Sequence, residues 1–332
     1  MNTTISQWQR IALLAAGIAT SMGSVAWGQE LYETHTDGSI WEYTGVPCKG
    51  KVCSGWTELD NNPQLSMIAA GGGNLYELHG DGSIWWYIGP ACSGGSCPGW
   101  VELDNNPLAS KIGAGPNYAL YELHSDNTLW QWNGVGCSGG YCPGWTELSD
   151  NPYLVGLGAS ANLLVGAEAA GGYFDLFLFN GAFDGWAPIA YGLTSYVVGD
   201  NALYAFDGSG IEQYVPSTNN WQAIDNKETT SIMTAGGTLY QTRTSKEGAN
   251  TLWQYTGTPC SGNSCPGWLK IANFDPSDRI VAGLSTVYEL RYAPASIWQY
   301  NGTPCSGRVC PGWVKLDDNE NTNNIVAGPQ QF

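Results

Sequence analysis

The stretch LYELHGDGSIWWYIGPACSGGSCPGW, residues 75–100, holds two short apolar runs around an Asp-Gly pair, then two cysteines and a closing Gly-Trp. Asp-Gly between alternating apolar residues closes a tight hairpin, so LYELH and SIWWY read as paired antiparallel strands. Alternation sends Trp85 and Tyr87 to one face and Ile84 and Trp86 to the other. Both faces are apolar, so both are expected to be buried. GWVELD supplies a further strand, DNNP a turn, and a run such as KIGAG leads into the next copy.

The cassette recurs. Its closing tryptophans are Trp56, Trp100, Trp145, Trp186, Trp221, Trp268 and Trp313, at intervals of 44, 45, 41, 35, 47 and 45 residues. Seven units of four short strands, packed on both faces, describe an all-β, seven-bladed β-propeller. An open stack of repeats needs polar caps at its ends, and neither end of this repeat array supplies one. The first copy begins at Leu31 without its first strand, and the last residues, NIVAGPQQF, are a first strand without followers. The C-terminal strand at 325–327 is therefore expected to join the N-terminal blade and close the ring. The chain divides into a leader over 1–28 and one propeller domain over 29–332.

Copies four and five are degenerate. Phe177 and Phe179 lie where copy three has Trp130 and Trp132, and copy five places Glu212 where the five undegenerate copies have tryptophan. Blade five is expected to be the least tightly packed.

The cysteines follow a length rule. From the last aromatic of the third strand to the closing tryptophan there are 13 residues in five copies, as in Tyr43 to Trp56. There are seven in the other two, Phe179 to Trp186 and Tyr214 to Trp221. Only the longer form carries a Cys-x4-Cys pair. The reading is a local disulfide that staples an optional loop: Cys48–Cys53, Cys92–Cys97, Cys137–Cys142, Cys260–Cys265 and Cys305–Cys310. Such a closure contributes about 2 kcal/mol in the chain-entropy model. The competing reading, zinc held by paired thiolates, needs further ligands, and no histidine lies beside any pair.

Composition bounds the partners. With 12 Lys plus Arg against 29 Asp plus Glu, the net charge is −17, which repels nucleic acid and anionic membrane surfaces. Arg10, the apolar run after it, and the small residues Ala26 and Gly28 form a secretory leader pattern, and no segment has the length of a membrane span. An even count of ten cysteines agrees, so the expected location is secreted, extracellular and oxidising.

His35, His79 and His124 occupy one position in consecutive copies, just before the Asp-Gly or Asp-Asn turn. Equivalent atoms on diverging blades lie too far apart for one metal, so no metal site and no cofactor are expected. No nucleophile motif is present, and most carboxylates recur at turn positions that favour Asp for its local hydrogen bonds. Aromatic faces beside amides, carboxylates and hydroxyls suit carbohydrate. Strand direction places the Asp-Gly hairpins and DNNP turns on one rim, and the stapled loops with the GGGN-type turns on the other. The candidate ligand surface is the first rim in blades one to three: His35, Asp37, Trp41, Asp60, Asn61, His79, Asp81, Trp85, Trp86, His124, Asp126 and Trp130.

The pattern LYELHGDGSIWWY…CSGGSCPGWVELDNNP resembles tectonin and tachylectin-like propeller repeats, most specifically in DGSIW and the closing GW. The resemblance implies glycan or glycoconjugate binding through several equivalent pockets. It does not cover the stapled loop, and tectonins often have six blades. The leading expectation is a secreted, multivalent, non-catalytic lectin, with weak sites reinforced by avidity. The alternatives are a glycoside hydrolase or lyase, and a protein-binding scaffold or inhibitor, for which Tyr173 and Phe174 are the residues to inspect.

Overall fold

Apolar alternation leaves each four-stranded unit with two faces to bury, and in the folded chain each face meets the next unit. The computed structural model describes residues 30–328, apart from 116, 161, 200–201, 236, 245–249, 276, 293 and 308. The leader expected over 1–28 lies outside the described residues. Strands β1 (Leu31–His35) to β28 (Thr322–Ala327) form seven four-stranded antiparallel sheets. Blade one has the order β28-β1-β2-β3, with β2 at Ile40–Tyr43 and β3 at Trp56–Asp60. Leu31 stands opposite Ala327 and Glu33 opposite Ile325, so the C-terminal strand closes the ring. Blades two to seven follow in chain order over 65–105, 109–149, 154–193, 195–225, 231–274 and 279–317. Their first strands pack on one another around the axis. No helix among the described residues is long and apolar enough to cross a membrane.

The core lies between blades. Tyr76, Leu78 and Ile84 of blade two pack with Ile112, Leu120 and Trp132 of blade three. Leu31 and Tyr43 of blade one pack with Tyr288, Ile297 and Leu316 of blade seven. Each such side chain contributes about 1.5–3 kcal/mol on burial, which a lone blade forgoes.

The closing Gly-Trp makes the joint directional. The Trp100 Nε1–H donates to the Leu59 carbonyl of the preceding blade at 2.9 Å. Trp56, Trp145, Trp221, Trp268 and Trp313 do the same to Leu316, Leu103, Ile189, Ile224 and Ile271. A Cβ at Gly99 would sit 2.4 Å from the Pro90 carbonyl oxygen and 2.6 Å from the Tyr87 ring, so only glycine passes beneath the loop.

Blade five keeps this latch. The one that loses it is blade four, where Trp186 Nε1 is buried without a partner. Its short loop turns at Asp184 (φ 51°), and the Asp184 backbone N–H takes the Leu148 carbonyl, the equivalent acceptor, at 3.0 Å.

All ten cysteines form the five local disulfides, which removes thiolate zinc as a reading and fits an oxidising environment. The stapled loops do more than close themselves. Each reaches the outer strand of the preceding blade, where the first cysteine's N–H bonds a backbone carbonyl: Cys48 to Lys315, Cys92 to Glu58, Cys137 to Glu102, Cys260 to Ala223 and Cys305 to Lys270. Asn61 Nδ2 and Asn105 Nδ2 meet the carbonyls of Gly95 and Gly140 in these loops. The loops thus start on their expected rim and run along the neighbour's edge, covering backbone groups that an edge strand otherwise exposes.

Trp100→Phe leaves the Leu59 carbonyl without its donor, whereas Trp186→Phe removes an N–H that bonds nothing. Urea unfolding is expected to show Trp100→Phe as the costlier change by about 1–3 kcal/mol. Equal losses would remove the hydrogen bond from the account of the joint.

Candidate functional site

The Asp-Gly rim is built from the hairpin outward. A Cβ at Gly82 (φ +89°) would lie 2.2 Å from the Asn106 carbonyl oxygen, so the hairpin tucks under the DNNP turn. In copy three Asn127 takes the left-handed position at φ 67°. Asp81 Oδ1 accepts from the Ser83 N–H at 2.9 Å and Ser83 Oγ at 2.8 Å. Ser83 Oγ in turn accepts from Trp85 Nε1 at 3.0 Å. Asp37 with Ser39 and Trp41, and Asp126 with Thr128 and Trp130, repeat this chain.

The histidines sit beneath. His79 stacks on Trp85 with centroids 6.0 Å apart, and His35 on Trp41 and His124 on Trp130 at 5.6 Å each. All three are buried, and each holds a glutamate two residues back: His35–Glu33 3.1 Å, His79–Glu77 2.9 Å and His124–Glu122 3.0 Å. Asn62 Nδ2 approaches His79 Nε2 from the preceding blade at 3.4 Å, and Ser83 Oγ approaches Nδ1 at 3.2 Å. Both ring nitrogens of His79 are engaged, as are those of His124. Asp60, buried at the end of blade one, faces Glu77.

The same joint recurs with other chemistry. In blade six Arg243 lies 4.6 Å over Trp253 and bonds Asp225, with Gln241 at the glutamate position. In blade seven Arg291 lies 4.4 Å over Trp298 and pairs with Glu289.

The structure therefore joins His79, Asp81 and Trp85 with Asp60, and builds matching groups around His35 and His124. It separates the other two candidates. Asn61 is exposed and faces a stapled loop. Trp86 lies on the opposite face, half-buried, where Nε1 donates to Asn74 Oδ1 at 3.2 Å and the ring packs on Tyr76 and Trp132 of the core and meets the exposed Tyr118 at its outer side.

Burial pushes Glu77 and Glu122 up to about 7, against the opposing hydrogen bonds of His79 and His124. Burial, with Glu33 nearby, pushes Asp317 up to about 6. For the three histidines burial lowers the pKa, but the hydrogen bond and charge of the partner glutamate, with nearby aspartates, outweigh it and leave each raised. The clusters lock blade to blade through Asn62–His79, Asn106–His124 and Asn319–His35.

A cavity of about 530 Å³ opens on the other rim, between blades five and six. Blade five lines it with Tyr204, Gln213 and Gln222, and blade six with Thr238, Gln254, Tyr255 and Thr256 among others. Gln213 and Gln222 stand opposite each other in neighbouring strands. Among the described residues, no protein group hydrogen-bonds the side-chain amides of Gln213, Gln222 or Gln254. No charged side chain among the described residues lines the cavity. Sequence reading missed this site, although a signal was present: copy five has Gln222 where other copies place Thr57, Val101, Thr146, Ala187, Leu269 or Val314.

No protein-family model matches the chain, and no curated protein does. Solved structures share its fold. The WD40 domain of Toxoplasma gondii coronin aligns with TM-score 0.50 and 10% identity, covering 86% of this chain and 77% of that one. A triple arginine-to-alanine mutant of AofleA from Arthrobotrys oligospora aligns over 81% and 90% with TM-score 0.38 and 14% identity. An uncharacterised protein of Listeria monocytogenes EGD-e aligns over 78% and 82% with TM-score 0.46 and 9% identity.

Raised folded-state values make the buried clusters stabilising at low pH. For Glu77 and Glu122 the contribution is full below about 4.5 and is lost as pH rises towards about 7. The raised histidines lose theirs in the same direction, through their folded pKa. The thermal midpoint is expected to be higher at pH 5.5 than at pH 8. Glu77→Gln with Glu122→Gln, which copies Gln241, is expected to flatten that slope. A wild-type midpoint that climbs from pH 5.5 to pH 8 contradicts the assignment.

Proposed function

We propose that this is an exported carbohydrate-binding protein without catalytic activity, and that a neutral sugar enters the cavity between blades five and six. The observation that carries the reading is the convergence of Gln213, Gln222 and Gln254 on one cavity, with no partner for their amides among the described residues. Amides donate and accept at once, as sugar hydroxyls do, and Tyr255 adds an aromatic surface for the apolar side of a ring. A wall without formal charge suits an uncharged polyol better than a phosphate or a sugar acid. Hydrolysis of a glycosidic bond calls for a carboxylate pair, and this lining supplies none. The five disulfides support export. Gln131 and Gln299, at the third-strand position of Gln254, support a multivalent form.

The test is a glycan-array screen followed by calorimetry on Gln213→Ala with Gln222→Ala. Loss of two hydrogen bonds is expected to weaken binding roughly 30-fold, with the unfolding midpoint unchanged. No glycan retained at micromolar protein defeats the reading. Binding unaffected by the double variant moves the site elsewhere.

A further inference from the structure

The outer strand of blade four, β15 (Trp186–Leu193), reads WAPIAYGL. Its eight residues make it the longest of the outer strands, and it alone carries no charged, amide or aliphatic hydroxyl side chain. Ala187, Pro188 and Tyr191 are exposed, Tyr191 by 67%. Soluble proteins avoid an exposed apolar edge, because unpaired backbone there recruits another chain. Five blades cover their edge with the next copy's stapled loop, at the carbonyls of Lys315, Glu58, Glu102, Ala223 and Lys270. Copy five has no such loop, and among the described residues no donor from it reaches the equivalent Pro188 carbonyl. Blade three also lacks a covering staple, but its outer strand is the short, charged WTELS, and Asp184 N–H occupies the Leu148 carbonyl there.

Charge singles out the same region. Residues 112–226 form an acidic arc with no Lys or Arg but 11 Asp plus Glu, of which Glu122 and Asp225 are buried and paired with His124 and Arg243. Asp175, bonded to the Gly192 N–H, and exposed Asp184 flank β15.

We propose that β15 is a docking edge for an extended, Lys- or Arg-bearing segment of a partner protein. A backbone N–H of that segment bonds the Pro188 carbonyl, as cysteine N–H groups do on the stapled edges. Pro188 removes one donor from the edge but leaves this acceptor. Apolar residues of the segment cover Ala187 and Tyr191, and its cations meet the acidic arc. A second copy of this chain is the poorer occupant, since it brings the same arc against itself. The inference stands apart from the sugar-binding cavity.

The probe is a fluorescein-labelled octapeptide of alternating Lys and Val, with a Glu-Val octapeptide as control, read by anisotropy. Saturable binding of the Lys-Val peptide is expected, weakened at least about tenfold in Ala187→Lys with Tyr191→Lys. Val101→Lys with Val314→Lys adds the same charge on stapled edges and is expected to stay within about threefold of wild type. Tyr191→Ser, which adds no charge, is expected to weaken binding as well. Equal losses in the two lysine pairs reduce the effect to net charge and overturn the proposal, as does the absence of saturable binding. Self-association in sedimentation that Ala187→Lys with Tyr191→Lys abolishes assigns the edge to a second copy and overturns it too.

Discussion

An indole N–H donated to a backbone carbonyl of the preceding blade holds six of the seven units of this ring in register with their neighbours. Apolar packing between blades supplies most of the stabilisation, but it is non-directional and tolerates sliding. The Trp100–Leu59 bond and its equivalents remove that freedom. In the five stapled copies the glycine before the tryptophan lets the chain pass beneath the loop, and the loop adds a second bond one residue away, at Glu58 for the Cys92 loop; Trp221, which follows Asn220, makes the indole bond without either. The disulfide therefore acts at a junction, where it holds a strand-capping loop in the shape that reaches the neighbour.

The polar joint beneath the Asp-Gly rim shows how one repeated position accepts different chemistry. Glu77 and His79, Glu289 and Arg291, and Gln241 with Arg243 and Asp225 all place a cationic or cation-capable group over a tryptophan. What persists is a planar group stacked on the indole and tied to an acceptor. Charge at these depths is costly unless paired, and each version supplies the pair.

Blades four and five break the pattern together. They lack staples, blade four lacks the indole bond, and blade five gains Gln222. The amide-lined cavity and the unstapled apolar edge, which carries only the Trp221 indole bond at Ile189, both lie there. In a ring of near-identical units, a feature that occurs once must come from a unit that diverged. The degenerate copies look in sequence like losses, but they are where surface is uncovered.

The strands, the blade count, the tail-to-head closure and all five disulfides are legible in the chain because their signals are local. Alternation of period two, Asp-Gly turn chemistry, and the coupling of a cysteine pair to a 13-residue spacing need no knowledge of distant residues. The HGD segment looks ligand-ready for the same local reasons, yet its burial depends on residues far along the chain. Thr322 Oγ1 donates to Glu33, and Asn319 meets His35, across the ring closure. Gln222 reads as an ordinary exposed residue until folding brings Gln213 and Gln254 beside it. Even the apolar run WAPIAYGL is plain in the sequence, while its exposure is not. Whether an edge is covered depends on a loop of the next blade, and only closure of the ring brings the two together.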